Sequence, residues 1–331
     1  MTGFTSDVRS PLMSVVVCTF NRAPLLARAL GALCGQTMDP ALFEVIVVDD
    51  GSTDDTRQVV DAFGSLLPVK YAYQANSGLA TGKNQGLFLS RGAIVLFLDD
   101  DDVADSRLLE EHYRSHQEHP QERYAVLGYT GLASAVAQSP LMHYVTEVGC
   151  HLYSYPKLNH GDLLDFSYFW GGRTSCKRMF LLKHGVFNPL FRFGAEDIEL
   201  GYRLSEAGLQ VVYNSKAVSH MIRTLDLDAF CRRCYQQGRS NWVFSQLHPD
   251  EVVRKWAQVD AASDDWSKIE PTYDKIRKMS RDLDMLAAER IRADRPLDTL
   301  DRGLLYRAYS AVFDASRIKG TAEIQHEEQP A

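Results

Sequence analysis

The sequence predicts an α/β fold with a mostly parallel, Rossmann-like central sheet flanked by helices and a helical extension at the C-terminal end. Within the first hundred residues, four apolar runs of strand length alternate with segments of helical pattern. Continuous apolar runs indicate strands buried on both faces, and their alternation with helices favours a parallel sheet. From about Thr224 the chain is charged and its pattern is helical. In folds of this class, ligands bind at the carboxyl ends of the strands.

The four N-terminal strands are followed by segments that carry signals for loops and helices. The predicted strands are Met13–Thr19, Glu44–Val48, Val69–Gln74 and Ala93–Leu98. Because proline is tolerated in the first turn of a helix, a helix is predicted from Pro24 to about Cys34. Asp54 or Asp55 can cap a second helix over Thr56–Phe63. Gly78–Ser90 is predicted to be a loop followed by a helix.

The second part of the chain is less regular. Its predicted elements are a strand over Tyr124–Ala135, an irregular aromatic stretch over Gln138–Asp165, a helix over Ser175–His184, a helix over Glu196–Gly208, a short strand over Gln210–Tyr213, and helices over Asp228–Leu247 and Pro271–Ile291. We therefore expect one domain over residues 1–223 and a helical region over 224–318. The polar tail, 319–331, is predicted to be disordered.

Composition limits the classes of partner. The sequence has 36 Lys and Arg against 43 Asp and Glu, a formal net charge of −7. No face is evidently basic, so DNA and RNA are disfavoured as partners. The six cysteines are scattered and lie mostly in apolar stretches, which is typical of a reducing, intracellular environment. Cys231 and Cys234 form a CxxC pair without a second pair or nearby histidines at ligand spacing, so zinc is not predicted.

The distribution of apolar residues predicts where the protein resides. Residues 1–11 are polar and contain no hydrophobic signal core, and the longest apolar runs are of strand length. A helix needs about 20 apolar residues to span a bilayer. We therefore expect a cytoplasmic protein; peripheral contact with the inner face of a membrane and formation of a homodimer are left open.

The strongest chemical signal is the run Asp99–Asp102, four carboxylates directly after an apolar strand. Adjacent carboxylates repel one another unless they remain solvated or bind a cation. Alternate side chains at a strand end lie on the same side, so Asp99 and Asp101 can converge on one point. A hard divalent cation takes such oxygen ligands and bridges to the phosphates of a substrate. The alternative is an acidic loop that only caps the following helix.

Two further acidic segments carry a similar signal. The second strand ends in Asp50 and Gly51, where a tight turn lets a carboxylate accept a hydrogen bond from a base or a ribose hydroxyl; helix capping is the alternative. Glu196 and Asp197 begin a predicted helix, whose dipole stabilises negative charge. The functional interpretation of this pair is a general base that removes a proton from a hydroxyl group. A lone histidine such as His220 is usually structural.

Five motifs, in this order and spacing, resemble glycosyltransferase family 2 and its relatives with the GT-A fold. They are VVVCTFNR (Val15–Arg22), VVDDGSTDDT (Val47–Thr56), NSGLATGKNQG (Asn76–Gly86), FLDDDD (Phe97–Asp102) and GAEDIELGYRL (Gly194–Leu204). The resemblance implies transfer of a sugar from a nucleotide-diphosphate sugar, most commonly a UDP-sugar, to an acceptor hydroxyl, in the biosynthesis of a polysaccharide or glycoconjugate. It divides the catalytic domain into a nucleotide-sugar half at about 12–102 and an acceptor half at about 103–223.

The resemblance also implies roles for individual residues. Those implied in binding the donor are Thr19, Asn21, Arg22, Asp50, Lys83, Asn84, Asp99 and Asp100, with Asp50 meeting N3–H of uracil. The metal, Mn²⁺ or Mg²⁺, would be bound by the DxD pair Asp99 and Asp101, together with His220. Asp197 would be the catalytic base of an inverting transfer, with Glu196 beside it touching the acceptor or the sugar.

The sequence departs from the family pattern at one loop and leaves other classes open. Where the family usually reads ARN, this chain reads Gly82-Lys83-Asn84, and a lysine is a point charge rather than a bidentate fork. The alternatives are a non-catalytic sugar-binding relative, a haloacid-dehalogenase-type phosphatase and a nucleotidyltransferase. The acceptor, whether a glycan, a lipid-linked intermediate, a peptide or a small molecule, is not identified by the sequence.

Overall fold

A computed structural model describes residues 10–328, in which nine strands form one mixed sheet. The strands are β1 Met13–Thr19, β2 Phe43–Asp49, β3 Val69–Tyr73, β4 Ile94–Asp99, β5 Asp102–Ala104, β6 Tyr124–Leu132, β7 Leu163–Leu164, β8 Thr174–Lys177 and β9 Gln210–Met221. Their order is β3-β2-β1-β4-β8-β6-β9-β5, with β7 paired to β9. The four predicted N-terminal strands are confirmed and pair in parallel, whereas β8 and β5 join their neighbours in antiparallel fashion.

Parallel pairing brings the carboxyl ends of the first strands to one edge of the sheet. Thr19 at the end of β1 is level with Asp49 at the end of β2, and Cys18 is level with Asp99 at the end of β4. The polar residues that follow these strands therefore gather at the edge where α/β sheets bind ligands.

The helices alternate with strands in the first part of the chain and follow one another in the last part. They are α1 Ala23–Cys34, α2 Thr56–Phe63, α3 Leu79–Leu89, α4 Leu108–Glu118, α5 Ser134–Ala137, α6 Pro140–His143, α7 Arg178–His184, α8 Glu196–Glu206, α9 Leu227–Leu247, α10 Glu251–Ala257, α11 Ala262–Ile269, α12 Tyr273–Arg292 and α13 Thr299–Glu327. Leu26, Leu30 and Leu33 share one face of α1 and pack on the buried residues of β1, β2 and β4.

The chain forms two compact units. The first comprises residues 10–131, Asn159–Arg192 and Glu196–Ile222. The second comprises Leu132–Leu158, Phe193–Ala195 and residues 223–328. The predicted boundary near 223 thus marks the start of the continuous helical part of the second unit, which the sequence analysis did not connect with residues 132–158.

In the second unit, α9 and α13 approach each other closely at two glycines. An ideal Cβ on Gly238 of α9 would lie 2.0 Å from the main-chain oxygen of Arg317. An ideal Cβ on Gly320 of α13 would lie 2.0 Å from the main-chain oxygen of Tyr235. The two helices therefore touch main chain to main chain, which no larger residue permits without separating them.

Three predicted elements differ from the structure. The predicted helix over Ser175–His184 is wrong in its first part, because residues 174–177 form β8 between β4 and β6. The short strand predicted to end at Tyr213 continues to Met221, where pairing with β5 extends it. The tail predicted to be disordered from 319 is helical up to Glu327 as the end of α13; its last residues, 329–331, lie outside the described range. Among residues 10–328, no helix is both long and apolar enough to cross a membrane.

Candidate functional site

Three of the predicted donor-binding residues meet where β1 and β4 end. The Thr19 hydroxyl donates to one oxygen of Asp100 at 2.8 Å, and Arg22 donates to the other at 2.9 Å. The same guanidinium lies 3.8 Å from Asp101. Burial raises the pKa of Asp100 to about 6, and the charge of Arg22 opposes that rise. Asp100 is therefore held by the Thr19 hydroxyl at the end of β1 and by the Arg22 guanidinium that follows it.

Asp99 and Asp102 share a second arginine, Arg173, which follows Gly171 and Gly172. A terminal nitrogen of Arg173 donates to Asp99 at 2.8 Å and lies 3.6 Å from Asp102. The Nε of Arg173 donates to the Thr130 hydroxyl at 3.0 Å. Asp102 is fully buried, and burial raises its pKa while Arg173 opposes the rise. Two arginines, one on each side, therefore offset part of the negative charge of the four adjacent carboxylates.

Asp102 is further held by hydroxyl groups. Thr130 and Ser219 lie 3.2 and 3.3 Å from its Oδ2, and their own oxygens are 2.8 Å apart. Its Oδ1 is buried and has no hydrogen-bond partner among the described residues. Asp102 is therefore buried beneath the site, and it was not among the predicted site residues.

Asp50 organises the loop that precedes α3. One of its oxygens accepts from the Gln74 amide at 2.7 Å and from the Ser77 main chain at 2.8 Å; the other accepts from the Gly78 main chain at 2.9 Å. The predicted contact with a base therefore has to share a carboxylate that already accepts three donors. Its position at the end of β2, beside Thr19, is as predicted.

Asn21 also contacts neighbouring loop residues. Its φ is 51°, in the left-handed region that asparagine tolerates better than most residues. Its side-chain oxygen accepts from the Thr53 main chain at 2.8 Å, and its own N–H donates to the Ser52 hydroxyl at 2.8 Å. Asn21 thus joins the loops that follow β1 and β2, and lies at the predicted edge.

Lys83 and Asn84, which the resemblance assigns to donor binding, each have hydrogen-bond partners within the protein. Lys83 is only 4% exposed, and its Nζ donates to Glu196 at 3.0 Å. Asn84 uses its amide nitrogen on the main-chain oxygen of Phe187 at 2.8 Å and its amide oxygen on the main-chain nitrogen at 2.9 Å. Both residues therefore connect α3 internally to the segment that leads to α8. In the motif NSGLATGKNQG, sequence alone does not distinguish an inward from an outward side chain.

The acidic pair Glu196 and Asp197 lies at the start of α8, as predicted. Asp197 accepts from the Gly171 main chain at 2.8 Å through one oxygen and from the Ile198 main chain at 2.9 Å through the other. Burial raises the pKa of Asp197, the neighbouring charge of Glu196 raises it further, and Lys83 opposes both. A carboxylate whose pKa is raised in this way binds a proton more readily than an ordinary aspartate.

One short segment, Gly171–Arg173, connects the two acidic groups. Gly171 donates its N–H to Asp197, Gly172 accepts the N–H of Asp99 at 3.1 Å, and Arg173 donates to the side chain of Asp99. An ideal Cβ on Gly172 would lie 2.1 Å from Oδ2 of Asp99, and one on Gly171 would lie 3.0 Å from Cβ of Asp197. We call this segment the GGR strap. Two consecutive glycines are needed because both carboxylates approach the same stretch of backbone.

The predicted metal ligands do not converge in the described structure. His220 on β9 pairs with Val103 on β5. The main-chain oxygen of Asp101 accepts a hydrogen bond from the N–H of Ile222 at 2.9 Å. His220 therefore lies close to Asp101 where β5 and β9 pair. Within residues 10–328, however, no three His, Cys, Asp or Glu side chains are grouped as metal ligands. The three predicted ligands, Asp99, Asp101 and His220, are therefore not grouped in the part of the chain that the structure describes.

The five sequence motifs and this geometry agree with a comparison to known families. The profile described as Glycosyl transferase family 2 matches residues 14–180. The chain belongs to glycosyltransferase family 2. This family 2 glycosyltransferase is 34% identical over 240 residues to validoxylamine A glucosyltransferase of Streptomyces hygroscopicus subsp. limoneus, which are 66% of this chain and 52% of the relative. It is 29% identical over 226 residues to chondroitin synthase of Escherichia coli, 59% of this chain and 32% of the relative.

Solved structures confirm the GT-A fold of this family 2 glycosyltransferase. TarS 1-349 of S. aureus in complex with UDP has a TM-score of 0.55 at 19% identity, covering 96% of this chain and 92% of that chain. The mannosyltransferase PcManGT from Pyrobaculum calidifontis, in complex with GDP-Man and Mn2+, has a TM-score of 0.61 at 17% identity, covering 96% and 88%. By contrast, the chain spans about half the length of the validoxylamine A glucosyltransferases that it matches.

Sequence analysis of this family 2 glycosyltransferase missed two charged site residues, Arg173 and Asp102. Arg173 ends the run FWGGR, Phe169–Arg173, which is distant in sequence from the acids. Arg173 reaches Asp99 only because β8 lies beside β4. The one available signal was the pair of glycines before a charged residue, since consecutive glycines indicate a close approach of backbone to another group.

Proposed function

We propose that the chain transfers a sugar from a nucleoside diphosphate sugar, a UDP-sugar, to an acceptor hydroxyl group. The observation that carries the proposal is the GGR strap, which joins the acids at the end of β4 to the acidic pair of α8. Donor-side and acceptor-side carboxylates of a glycosyl transfer need to be held at a fixed separation, because orientation of the reacting groups contributes much of the rate. The relatives named for glucosyl transfer and the TarS complex with UDP support this class of donor.

A divalent cation, Mn²⁺ or Mg²⁺, belongs to this proposal. The donor set fits a hard cation, since Asp99 and Asp101 offer carboxylate oxygens. Magnesium sites of this kind use one or two carboxylates, with waters and substrate phosphates as the other ligands, so a third protein ligand is not required. Asp101 would be the principal ligand, with Asp99 and His220 as neighbours. When bound, the cation supplies stabilisation of negative charge on the diphosphate.

Asp197 is proposed as the general base of an inverting transfer. Its carboxylate takes the proton of the acceptor hydroxyl while that oxygen forms a bond to the anomeric carbon. On the opposite face, the bond from the anomeric carbon to the diphosphate oxygen breaks, and the electron pair leaves with the diphosphate. The N–H of Gly171 donates a hydrogen bond to one oxygen of Asp197. The ion pair with Lys83 offsets the negative charge of Glu196 and so weakens its repulsion of Asp197.

The first experiment measures binding of the donor nucleotide. Melting temperature is recorded for the protein with Mn²⁺ and each of UDP, GDP, dTDP and CMP, for wild type, Asp101→Asn and the matched control Asp105→Asn. A ligand at 100 times its Kd adds about 2.7 kcal/mol to the free energy of unfolding, a rise of several degrees in Tm. We expect a rise with one diphosphate, lost in Asp101→Asn and kept in Asp105→Asn. No rise with any nucleotide would contradict the proposal and favour a non-catalytic relative.

A second experiment tests the base. Asp197→Asn should bind the same nucleotide and cation as wild type but release nucleoside diphosphate from the donor at least about 100-fold more slowly, the scale of a lost general base. Release is measured with a panel of UDP-sugars. Near-normal release by Asp197→Asn would show that the assignment of the base is wrong, while leaving the donor site intact.

A further inference from the structure

Arg173 contacts both Asp99 and Asp102. It is 9% exposed, and its guanidinium uses two different nitrogen atoms. The terminal nitrogen donates to Asp99 at 2.8 Å and lies 3.6 Å from Asp102. The Nε donates to the Thr130 hydroxyl at 3.0 Å. One charged group thus connects the half-exposed carboxylate at the end of β4 to a fully buried one.

The placement of this guanidinium is fixed by main-chain contacts on both sides. The main-chain oxygen of Arg173 accepts from Gly128 at 3.0 Å, and the preceding residue, Gly172, accepts from the main chain of Asp99 at 3.1 Å. The backbone that carries Arg173 is therefore held by β6 and by the end of β4. A side chain with this anchoring keeps a defined position relative to Asp99.

Electrostatics explains why a cation is placed there. The side chain of Asp99 is 35% exposed, whereas that of Asp102 is inaccessible to solvent, and both belong to a run of four acids. A buried carboxylate without a partner is strongly unfavourable, and two like charges close together repel. Without Arg173, the Asp99 carboxylate would lose the charge-assisted hydrogen bond that holds it beside the buried Asp102.

We propose that Arg173 is a positioning residue that holds the Asp99 carboxylate where it meets the donor, with Asp102 and Thr130 as fixed supports. The inference rests on the proposed function, since it concerns the same donor site. An arginine is required because its planar fork reaches Thr130 and Asp99 with separate N–H groups. A lysine at this position carries the charge but only a single nitrogen.

The test is a double-mutant cycle on the affinity for UDP and Mn²⁺. Dissociation constants are measured by calorimetry for wild type, Arg173→Met, Asp99→Asn and the combined variant. Arg173→Met should weaken binding by about tenfold, the scale of one lost charge-assisted hydrogen bond. In the Asp99→Asn background the same substitution should change the affinity less than about twofold, because a residue that acts through Asp99 has nothing left to position.

Other outcomes are separately informative. Equal tenfold losses in both backgrounds would overturn the inference, because they would indicate a structural role or a direct donor contact. Unchanged affinity of Arg173→Met would overturn it as well. If wild type binds no nucleoside diphosphate, the proposed function itself has failed.

Two further variants keep the inference falsifiable if Arg173→Met does not fold. Arg173→Lys retains the charge and should bind more tightly than Arg173→Met but more weakly than wild type. Thr130→Val leaves both charged groups in place and removes the hydroxyl that accepts from Nε of Arg173 and donates to Asp102. It should weaken nucleotide binding when Asp99 is present and leave nucleotide binding unchanged in the Asp99→Asn variant. The same loss in both backgrounds for either variant would contradict the positioning role.

Discussion

Two pairs of glycines, one in each compact unit, leave no room for a methyl group but face different neighbours. In the first unit, a Cβ on Gly172 would meet the carboxylate of Asp99 at 2.1 Å. In the second, a Cβ on Gly238 would meet the main-chain oxygen of Arg317 at 2.0 Å. A carboxylate can rotate away from a new methyl group, whereas a helix can yield only by moving as a whole. The same residue type thus preserves the chemical site in one unit and the packing of helices in the other.

The largest effect is expected where the helices cross. Gly238→Ala and Gly320→Ala should each lower the free energy of unfolding by about 3 kcal/mol, the upper end of the usual cost of overpacking, because the new Cβ meets main chain. Thermal unfolding followed by circular dichroism measures this loss. The two helices make the most extensive contact within the second unit, so a change in their separation affects the packing of that whole unit.

Gly303→Ala is the matched control on the same helix as Gly320. A Cβ at Gly303 would meet no atom within 4 Å, and the position is half-buried. Replacing a helical glycine with alanine at an open position should stabilise the protein by up to about 1 kcal/mol. If Gly320→Ala and Gly303→Ala changed Tm in the same direction and by similar amounts, the close approach of α9 and α13 would be refuted.

Substitutions in the GGR strap should lower activity more than stability, which is the reverse of the effect expected where α9 and α13 cross. Gly172→Ala should lower kcat/KM by about 100-fold, because displacing a site group by about 1 Å costs a factor of that order. The fall in Tm should be smaller than for Gly238→Ala, since the carboxylate of Asp99 can move. Gly31→Ala in α1, where a Cβ meets nothing within 4 Å, is the control. Normal kinetics of Gly172→Ala with a large loss of Tm would reverse the comparison between the two units.

A smaller effect is expected from pH, which changes the stability of the first unit independently of either glycine pair. His112 and His116 of α4 are buried and both contact the Ser175 hydroxyl, at 2.8 and 2.9 Å. Burial lowers the pKa of His112 to about 3 and that of His116 well below its ordinary value. The unfolded chain binds these protons below pH about 6.5, so stability is present above that pH and is lost as pH falls towards the native pKa.

Measured as Tm against pH, this predicts a loss of about 1 kcal/mol for His112 alone between pH 7.5 and 5.5. The double variant His112→Gln/His116→Gln should show a shallower slope over the same range, whatever its absolute stability. An unchanged slope would show that other groups govern the acid response of the first unit.

Parts of the fold and site could be predicted because they are written as local patterns. The strands β1, β2 and β4 are continuous apolar runs, and each is followed by polar residues whose place at the sheet edge is set by parallel pairing. β8 could not be predicted in this way, since Thr174–Lys177 is short and mostly polar, and its pairing with β4 and β6 comes from distant segments. The site residue on that segment, Arg173, was missed for the same reason.

The end of α13 was mispredicted for a different physical reason. Residues 319–327 are mostly polar or small, which is typical of a solvated tail. In the structure, Thr321, Ala322 and Ile324 are buried, and Gly320 lies against α9. Small residues contribute little to an apolar pattern, yet they allow the close helix packing that keeps this segment folded. Lys83 is a second example. The sequence does not show whether a lysine side chain points inward or outward, and in the structure Lys83 is buried.

For anyone engineering this enzyme, the GGR strap fixes where segments can be exchanged. A chimaera or a random library that alters residues 171–173 would disturb both carboxylate groups at once, since the strap bonds to Asp99 and Asp197 in succession. Splice points should therefore lie before Phe169 or after Lys177. Variation in the preceding segment, 159–168, leaves residues 171–173 unchanged but has to keep β7, which pairs with β9.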